Sequence, residues 1–300
     1  MDFRLTSEQR ALRAGVREVL SRLLPEDPVP GGPGPGDPVP APRLDRALWR
    51  ELGRAGFFSL RLDEKEGGAG GGLPEAVLVF EEAGRVLLPG PLVATHLAAG
   101  SVEGAAAGET VVTRVDGVLV PWLDAADQVL GDATGAVPLR SVDPLTPLHR
   151  VPRPASAAEG THDGVAALLT AAEQLGSAAC ATDRAVRHAT QREQFGRPVG
   201  GFQAVKHLCA QMLVRTELAR SAVYAAAVTG DRTEIAGAKL LADDAAVRNA
   251  RDCVQVHGGM GFTWEAGVHL HLKRAWVRAQ LWPTAGEAAD IQAEALAALP

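Results

Sequence analysis

Two glycine-containing junctions carry the residue types best suited to binding a phosphate group. The first, REQFGRPVGGFQAVKH at residues 192–207, places an arginine, an aromatic residue and a glutamine around glycines and a proline. The second, QVHGGMGFTWE at residues 255–265, contains three glycines, which let backbone N–H groups approach a ligand closely. A turn between two helices is enough to explain the glycines of the second junction. It does not explain why the first junction combines glycines and a proline with an arginine, an aromatic residue and a glutamine.

Other reactive side chains in the sequence are better explained as structural. Glu81 and Glu82 are adjacent on a predicted helix, so they diverge, and we expect a solvated face or a salt bridge with Arg85 rather than an acid–base pair. His269 and His271 are two residues apart on a helix and cannot jointly grip a metal. The sequence therefore predicts no metal site.

The elements that position the two junctions are predicted to be helices. Apolar residues at helical spacing, without any proline, predict one long helix from about Asp163 to Thr190, directly before the first junction. A second helix follows that junction and stops at Gly230. Two more stretches, 233–256 and 264–281, flank the second junction. Long helices joined by short loops favour antiparallel packing into a bundle.

The preceding half of the chain differs in pattern. The pattern of the first third of the whole chain predicts helices at about 6–24, 44–55 and 74–88, with a proline- and glycine-rich exposed linker at 25–42. Between 109 and 154, short β-branched runs alternate with turn residues, which indicates a small β segment. We therefore predict a mainly α protein with three parts. They are an N-terminal helical domain (1–107), a reduced middle β segment (108–157) and a C-terminal helical bundle (158–300).

Composition narrows the class of protein. The formal charge of -6 is spread along a chain of 300 residues that is 46% hydrophobic, so nucleic acid is an unfavourable partner. The charged N-terminus does not fit a secretory signal, and no run of about 18 apolar residues suggests a membrane span. We expect a cytoplasmic location. The three cysteines lack paired spacing, which predicts three buried thiols: Cys180, Cys209 and Cys253.

The two junctions together resemble the acyl-CoA dehydrogenase family, which carries an R-x-x-FG-x-P-x-x-x-FQ element and a later Q-x-x-GG-x-GF element in this order. The resemblance continues in LWRELGRAGFF, EKEGGAGGGLPEAVLVFEEAGR and HLHLKRA, so it covers nearly the whole chain. It implies a helical N-terminal domain, a middle β domain and a C-terminal four-helix bundle, with FAD running along the bundle towards a neighbouring subunit.

The resemblance also implies which residues contact the FAD. The arginine and aromatic of the first element, and the glutamine of its FQ pair, would contact the pyrophosphate or adenosine across a subunit boundary. The glutamine and double glycine of the second element would serve the same diphosphate. These six residues are Arg192, Phe195, Gln203, Gln255, Gly258 and Gly259.

The chain departs from the family pattern at the catalytic base. Family chemistry removes a proton from the acyl-CoA α-carbon while a hydride passes to the flavin, which requires a carboxylate near the ring. Gapless counting places one family position of that base at Trp282 and the other near Ala166 and Ala167, none of which accepts a proton. Glu173 is a weak candidate, because only a shift in helix register would recruit it.

The resemblance therefore implies a subunit of a heteromeric acyl-CoA dehydrogenase whose partner supplies the glutamate. Two alternatives stay open: a self-sufficient homo-oligomer with an unconventional base such as Glu173, and a structural subunit that has lost flavin. The expected partners are an acyl-CoA substrate, a second dehydrogenase-like subunit and an electron-transfer flavoprotein. Steroid, branched and polyketide-derived thioesters all remain open as substrates.

Overall fold

The computed structural model describes residues 4–24, 42–152 and 163–298, and helices dominate these ranges. The predicted class, mainly α with a few short strands, is confirmed. The linker predicted at 25–42 lies outside the described residues except for residue 42.

In the described ranges 4–24 and 42–107, four α-helices precede the β segment, and three of them were predicted. The first begins at a capping box in which Thr6 and Gln9 satisfy each other's backbone N–H groups. The third ends at Arg85 rather than near Leu88, because Leu87 adopts a positive φ of 51° that breaks the helix. The helices are α1 (Ser7–Leu23), α2 (Arg46–Arg54), α3 (Leu73–Arg85) and, not predicted, α4 (Leu92–Ala98).

The β segment consists of five strands of three residues each. Strands β1 and β3 pair in parallel, while β5 lies between β2 and β4 in an antiparallel sheet. Thr95 ties this segment to α4, because its Oγ1 donates to the carbonyl of Val112 and accepts from the N–H of Val112, both at 3.0 Å. The strands are β1 (Val112–Arg114), β2 (Leu119–Pro121), β3 (Gln128–Leu130), β4 (Val137–Leu139) and β5 (Leu148–Arg150).

The C-terminal half is built around the long helix α5, which packs against α3, α6 and α7. The helix predicted at 264–281 is shorter than expected and begins at His269, because Gly267 adopts a positive φ of 62° just before it. The elements are α5 (Gly164–Gln191), β6 (Glu193–Gln194), β7 (Arg197–Pro198), α6 (Gln203–Thr229), α7 (Arg232–His257), α8 (His269–Arg278) and, not predicted, α9 (Ala285–Ala297).

Helices α3 and α5 cross at very short range through two glycines. A Cβ atom on Gly84 would lie 2.0 Å from the carbonyl oxygen of Glu173, and one on Gly176 would lie 1.8 Å from that of Glu81. Only glycine fits at either position. This close crossing fixes the position of Glu173 relative to α3.

Glu81 and Glu82 are both buried, so of the two expected alternatives the salt bridge is the one observed: Arg85 Nε lies 3.7 Å from Glu82 Oε2. Each carboxylate is only 2% exposed. Glu81 accepts from Tyr224 Oη at 2.6 Å and lies 3.3 Å from the guanidinium of Arg220. Glu82 pairs with Arg17 at 2.7 Å. These ion pairs join α3 to α6 and α1, which is a structural role.

The cysteines are free thiols, and the prediction that all three are buried holds only for Cys253, since Cys180 and Cys209 are half-buried. Within 4–24, 42–152 and 163–298, no group of three or more His, Cys, Asp and Glu side chains is arranged to hold a metal ion. Over the same ranges no helix is both long and apolar enough to cross a membrane.

Candidate functional site

The two glycine-containing junctions lie together at one end of the bundle. His188, in the last turn of α5, stacks on His257, the last residue of α7, with ring centroids 4.1 Å apart. The backbone N–H of Arg192 donates to the carbonyl of His188 at 2.8 Å, and Gly258 follows His257 directly. The helices therefore bring the residues of both motifs to one surface.

The first junction forms a short hairpin, β6 to β7, that presents an aromatic ring to the exterior. Phe195 is 90% exposed and has a positive φ of 54°. Its ring stands perpendicular to that of Phe202 at 6.0 Å, and the guanidinium of Arg197 lies 4.1 Å from the centre of the Phe202 ring. Gln203, the first residue of α6, follows. An exposed aromatic held in this way suits a contact with a ligand or a neighbouring chain.

The start of α6 is suited to an anion. Its N-cap residue, Phe202, has no side chain able to accept from the first free backbone N–H groups of this 27-residue helix. Such N–H groups, together with the positive end of the helix dipole, bind phosphate well. Arg192 and Gln203 are both exposed beside this helix start.

The second junction exposes its backbone to solvent. Gln255, Gly258 and Gly259 are exposed, and a Cβ atom added at either glycine would meet nothing within 4 Å. Gly258 adopts φ 62° and ψ −139°, a conformation available essentially to glycine alone. Gly261 has a packing role instead, because a Cβ there would lie 2.5 Å from the carbonyl oxygen of Val254.

Glu173 lies elsewhere, on the wall of a small cavity between α4, the β segment, α5 and α8. Arg278 Nη2 donates to Glu173 Oε1 at 2.6 Å, and both residues are only 5% exposed. Burial raises the pKa of Glu173, while Arg278 and Arg274 act against that rise. Burial also lowers the pKa of Arg278, to about 10, which still leaves it protonated at neutral pH. The carboxylate is therefore already engaged by a cation.

Of the two positions to which gapless counting assigns the family's base, one lies on the wall of this cavity and the other lies one helical turn from it. Trp282, at one position, is 8% exposed and lines the cavity, and the guanidinium of Arg114 lies 5.9 Å from the centre of its ring. Ala166, at the other, is fully buried one helical turn before Thr170, which also lines the cavity. Among the described residues of the wall, Glu173 is the one carboxylate.

Sequence reasoning did not single out the arginines of this region. Arg274, 4% exposed, pairs with the fully buried Asp143 and donates to the carbonyls of Leu87 and Leu88 at 3.4 and 3.3 Å. Arg278 lies one turn further along α8. The sequence signal that was overlooked is the spacing of these two arginines, four residues apart on one face of α8, which indicates buried ion pairs.

Comparison with known proteins places the chain among enzymes. The family models described as acyl-CoA dehydrogenase, N-terminal domain and C-terminal domain match residues 6–106 and 164–298, respectively. The chain belongs to the acyl-CoA dehydrogenase family. Acyl-CoA dehydrogenases are oxidoreductases that use FAD, and this membership confirms the resemblance drawn from the two motifs.

Two relatives from Mycobacterium tuberculosis illustrate the match. The acyl-CoA dehydrogenase IpdE2 is 36% identical over 263 residues, which cover 79% of this chain and 82% of IpdE2. The acyl-CoA dehydrogenase FadE34 is 35% identical over 77% of this chain, but the match spans only 39% of FadE34. In fold, the chain is similar to the crystal structure of the ChsE4-ChsE5 complex from the same organism. There the TM-score is 0.77 at 23% identity, covering 100% of both chains.

The end of the bundle fits the cofactor of this family. The uncapped start of α6, the exposed guanidinium of Arg192 and the open backbone at Gly258 and Gly259 are the donor set that a diphosphate requires.

Proposed function

We propose that this chain is one subunit of a heteromeric acyl-CoA dehydrogenase whose partner supplies the catalytic carboxylate. The observation that carries the proposal is the occupancy of the two positions to which gapless counting assigns the base: Trp282 lines the cavity at one, and Ala166 is fully buried one turn before Thr170 at the other. Neither side chain accepts a proton. The remaining carboxylate of that wall, Glu173, is bound by Arg278.

In this proposal the chain contributes the diphosphate end of a flavin site. Arg192 and the first N–H groups of α6 hold the phosphates, Gln203 and Gln255 donate amide hydrogens, and Gly258 and Gly259 let the backbone approach. Phe195 packs on the cofactor or on the adjoining subunit. When bound, FAD takes up the hydride that leaves the acyl β-carbon.

Relatives support a two-component assembly. The ChsE4-ChsE5 complex, which has the same fold, is by name an assembly of two different proteins. IpdE2, with 36% identity over most of its length, is named an acyl-CoA dehydrogenase. We propose an acyl-CoA as the substrate, with bulky steroid-like acyl groups included, and an electron-transfer flavoprotein as the electron acceptor.

Flavin content and native mass of the purified chain test this proposal. The chain is expressed alone and then with each dehydrogenase subunit encoded beside it, and turnover of acyl-CoA thioesters is followed. We expect a colourless, inactive chain alone, and flavin with activity after co-expression. A yellow, active homo-oligomer formed by this chain alone would overturn the proposal. An active complex whose flavin is unaffected by changes in this chain would identify a structural subunit.

The variant Arg192→Met asks whether this chain holds flavin. Loss of one guanidinium–phosphate contact is expected to weaken FAD binding by about ten- to a hundredfold, since hydrogen bonds to charged groups contribute about 1.5–3 kcal/mol. Flavin released on dilution of the co-expressed complex measures the effect. Arg251→Met, which removes an exposed arginine from α7, is the matched control. Equal flavin retention in both variants would place the diphosphate elsewhere.

A second candidate is a self-sufficient dehydrogenase with Glu173 as its base, which is favoured by the position of this carboxylate on the cavity wall. Under our proposal, Glu173→Gln lowers the melting temperature because it leaves Arg278 without its buried partner, yet the complex keeps its turnover. Under the alternative, turnover falls by several orders of magnitude while flavin is retained. Glu294→Gln, at an exposed position on α9, serves as the control.

A further inference from the structure

Two stacked histidines join the two junctions at the end of the bundle. The rings of His188 and His257 have centroids 4.1 Å apart and planes inclined by 25°, and both are half-buried. His257 Nδ1 donates to the carbonyl of Cys253 at 2.8 Å, which leaves Nε2 of this ring free to accept a proton. His188 and His257 are called the histidine pair below.

Each member of the histidine pair lies at the C-terminal end of a long helix. His188 is in the last turn of α5, and His257 is the last residue of α7. The carbonyl groups at such an end carry partial negative charge and favour a cation. A proton on the pair would therefore be stabilised by two helix ends, and it would add positive charge to the surface that carries Arg192 and Gly258.

Two arginines oppose this proton as long as no anion is present. Burial lowers the pKa of His188, and the charges of His257 and Arg192 lower it further. Burial also lowers the pKa of His257, and Arg184 acts in the same direction, whereas the bond to the Cys253 carbonyl acts against it. The pair is therefore mostly uncharged at neutral pH.

Other ionisable groups near the histidine pair do not supply a counter-charge. Asp252 of α7 is already paired with Arg215 of α6. Burial raises the pKa of Cys209, and it raises that of Cys253 to about 12, so both thiols are uncharged. The acidic residues within the two junctions are exposed to solvent: Glu193 and Glu265. The charges that act on the pair are therefore positive.

A bound diphosphate changes this balance, because its negative charge offsets Arg192 and favours the protonated form of nearby groups. Two cations stacked at 4.1 Å repel each other, so the pair accepts one proton rather than two. We propose that the histidine pair takes up one proton from solvent when a diphosphate binds at the two junctions. By linkage, mild acid then strengthens cofactor binding by this chain. This inference rests on the proposed function, because it requires the flavin diphosphate at this end of the bundle.

Titration calorimetry of FAD binding counts the protons. The co-expressed complex is freed of flavin and titrated with FAD in two buffers of different ionisation enthalpy, and the difference between the observed enthalpies gives the number of protons taken up. We expect about half a proton near pH 6 and close to none at pH 8. If the pKa of the pair rises by about one unit, FAD binds up to about tenfold more tightly at pH 6 than at pH 8.

Variants of this chain assign the proton to the histidine pair. The double variant His188→Phe with His257→Phe keeps two stacked aromatic rings, and its proton uptake and pH-dependent affinity should both disappear. Each single variant should lower the uptake, and the single variants decide the matter if the double variant does not assemble. His207→Phe removes an exposed histidine from α6 and should leave the uptake unchanged.

FAD binding without proton uptake near pH 6 would overturn the inference, as would unchanged uptake in the double variant or loss of uptake in His207→Phe. Failure of the proposed function gives a different result. If this chain holds no flavin, Arg192→Met retains flavin as well as its control does, whatever the proton count. If Arg192→Met loses flavin but no proton is taken up by the unaltered complex, the proposed function stands and the role of the histidine pair is refuted.

Discussion

At the scale of single residues, buried histidines make the stability of this protein sensitive to acid. Burial lowers the pKa of His96 to about 4 and that of His271 to about 3. Each ring also has a partner, since His96 Nδ1 lies 3.2 Å from the carbonyl of Phe57 and His271 Nδ1 lies 2.8 Å from Ser177 Oγ. Both histidines are therefore uncharged in the folded protein at neutral pH.

We predict that the free energy of unfolding falls as the pH drops below about 6.5, where these histidines bind protons in the unfolded chain but not in the folded one. Each histidine lowers the free energy of unfolding by up to about 1.4 kcal/mol for every pH unit below about 6.5, until the pH reaches its folded pKa. Urea unfolding between pH 7 and pH 4.5 measures the slope. His96→Gln should make it shallower, whereas His207→Gln, at an exposed position on α6, should not. Identical slopes in all three proteins would contradict the prediction.

The residues of the two junctions could be proposed from sequence because their chemistry is local: an arginine, an aromatic residue and glycines occur within short motifs. The stacking of His188 on His257 could not be predicted, because these histidines are far apart in sequence and meet only when α5 and α7 pack together. Glu173 was singled out as a carboxylate, but its ion pair with Arg278 could not be predicted because Arg278 is 105 residues away in sequence.

At the scale of elements, a buried ion pair between Asp143 and Arg274 connects the β segment to the bundle. Asp143 follows β4 and is fully buried against Arg274 of α8. Asp143 Oδ2 also accepts from Thr146 Oγ1 at 2.6 Å, and Oδ1 accepts from the N–H of Leu145 at 3.0 Å. These bonds position the loop that closes one side of the Trp282 cavity.

We predict that Asp143→Asn destabilises the protein by about 3–5 kcal/mol, because it leaves the Arg274 guanidinium buried without a counter-charge. Asp244→Asn, which breaks an exposed pair with Arg248 on α7, should cost less than about 1 kcal/mol. Denaturant unfolding at pH 7 compares the two variants. A similar loss in both would show that burial of the Asp143 pair is energetically unimportant.

Element boundaries were predictable where caps and apolar spacing agree, as for α5, α6 and α7. Two short helices were missed. Each of them follows a proline, Pro91 before α4 and Pro283 before α9. The capping box of Thr284 and Glu287 was the overlooked signal for α9. Conversely, Trp264 suggested a helix start, but the chain turns at Gly267 before α8 begins.

At the scale of the whole molecule, α6 presents apolar side chains that the described residues (4–24, 42–152 and 163–298) leave exposed. Leu213, Val214 and Leu218 are 54%, 58% and 57% exposed. They lie on the helix whose first turn carries Gln203. Under our proposal, the neighbouring subunit that shares the flavin site packs on this face of α6.

We predict that Leu218→Glu prevents assembly, because a carboxylate cannot be buried at an apolar interface without a partner. Native mass, measured by light scattering on the co-expressed complex, should fall to that of separate chains, with loss of flavin. Leu296→Glu on α9, where the leucine is 68% exposed, should leave the native mass unchanged. An intact complex with Leu218→Glu would place the interface elsewhere.

The glycine crossing of α3 and α5 sets a limit on motion within the chain. Because Gly84 and Gly176 leave no room for even one methyl group, neither helix can slide along the other without backbone collision. We therefore expect the N-terminal helices and the bundle to behave as one rigid body, with no shear between them. We likewise expect the backbone around the Trp282 cavity to keep its shape when a partner docks.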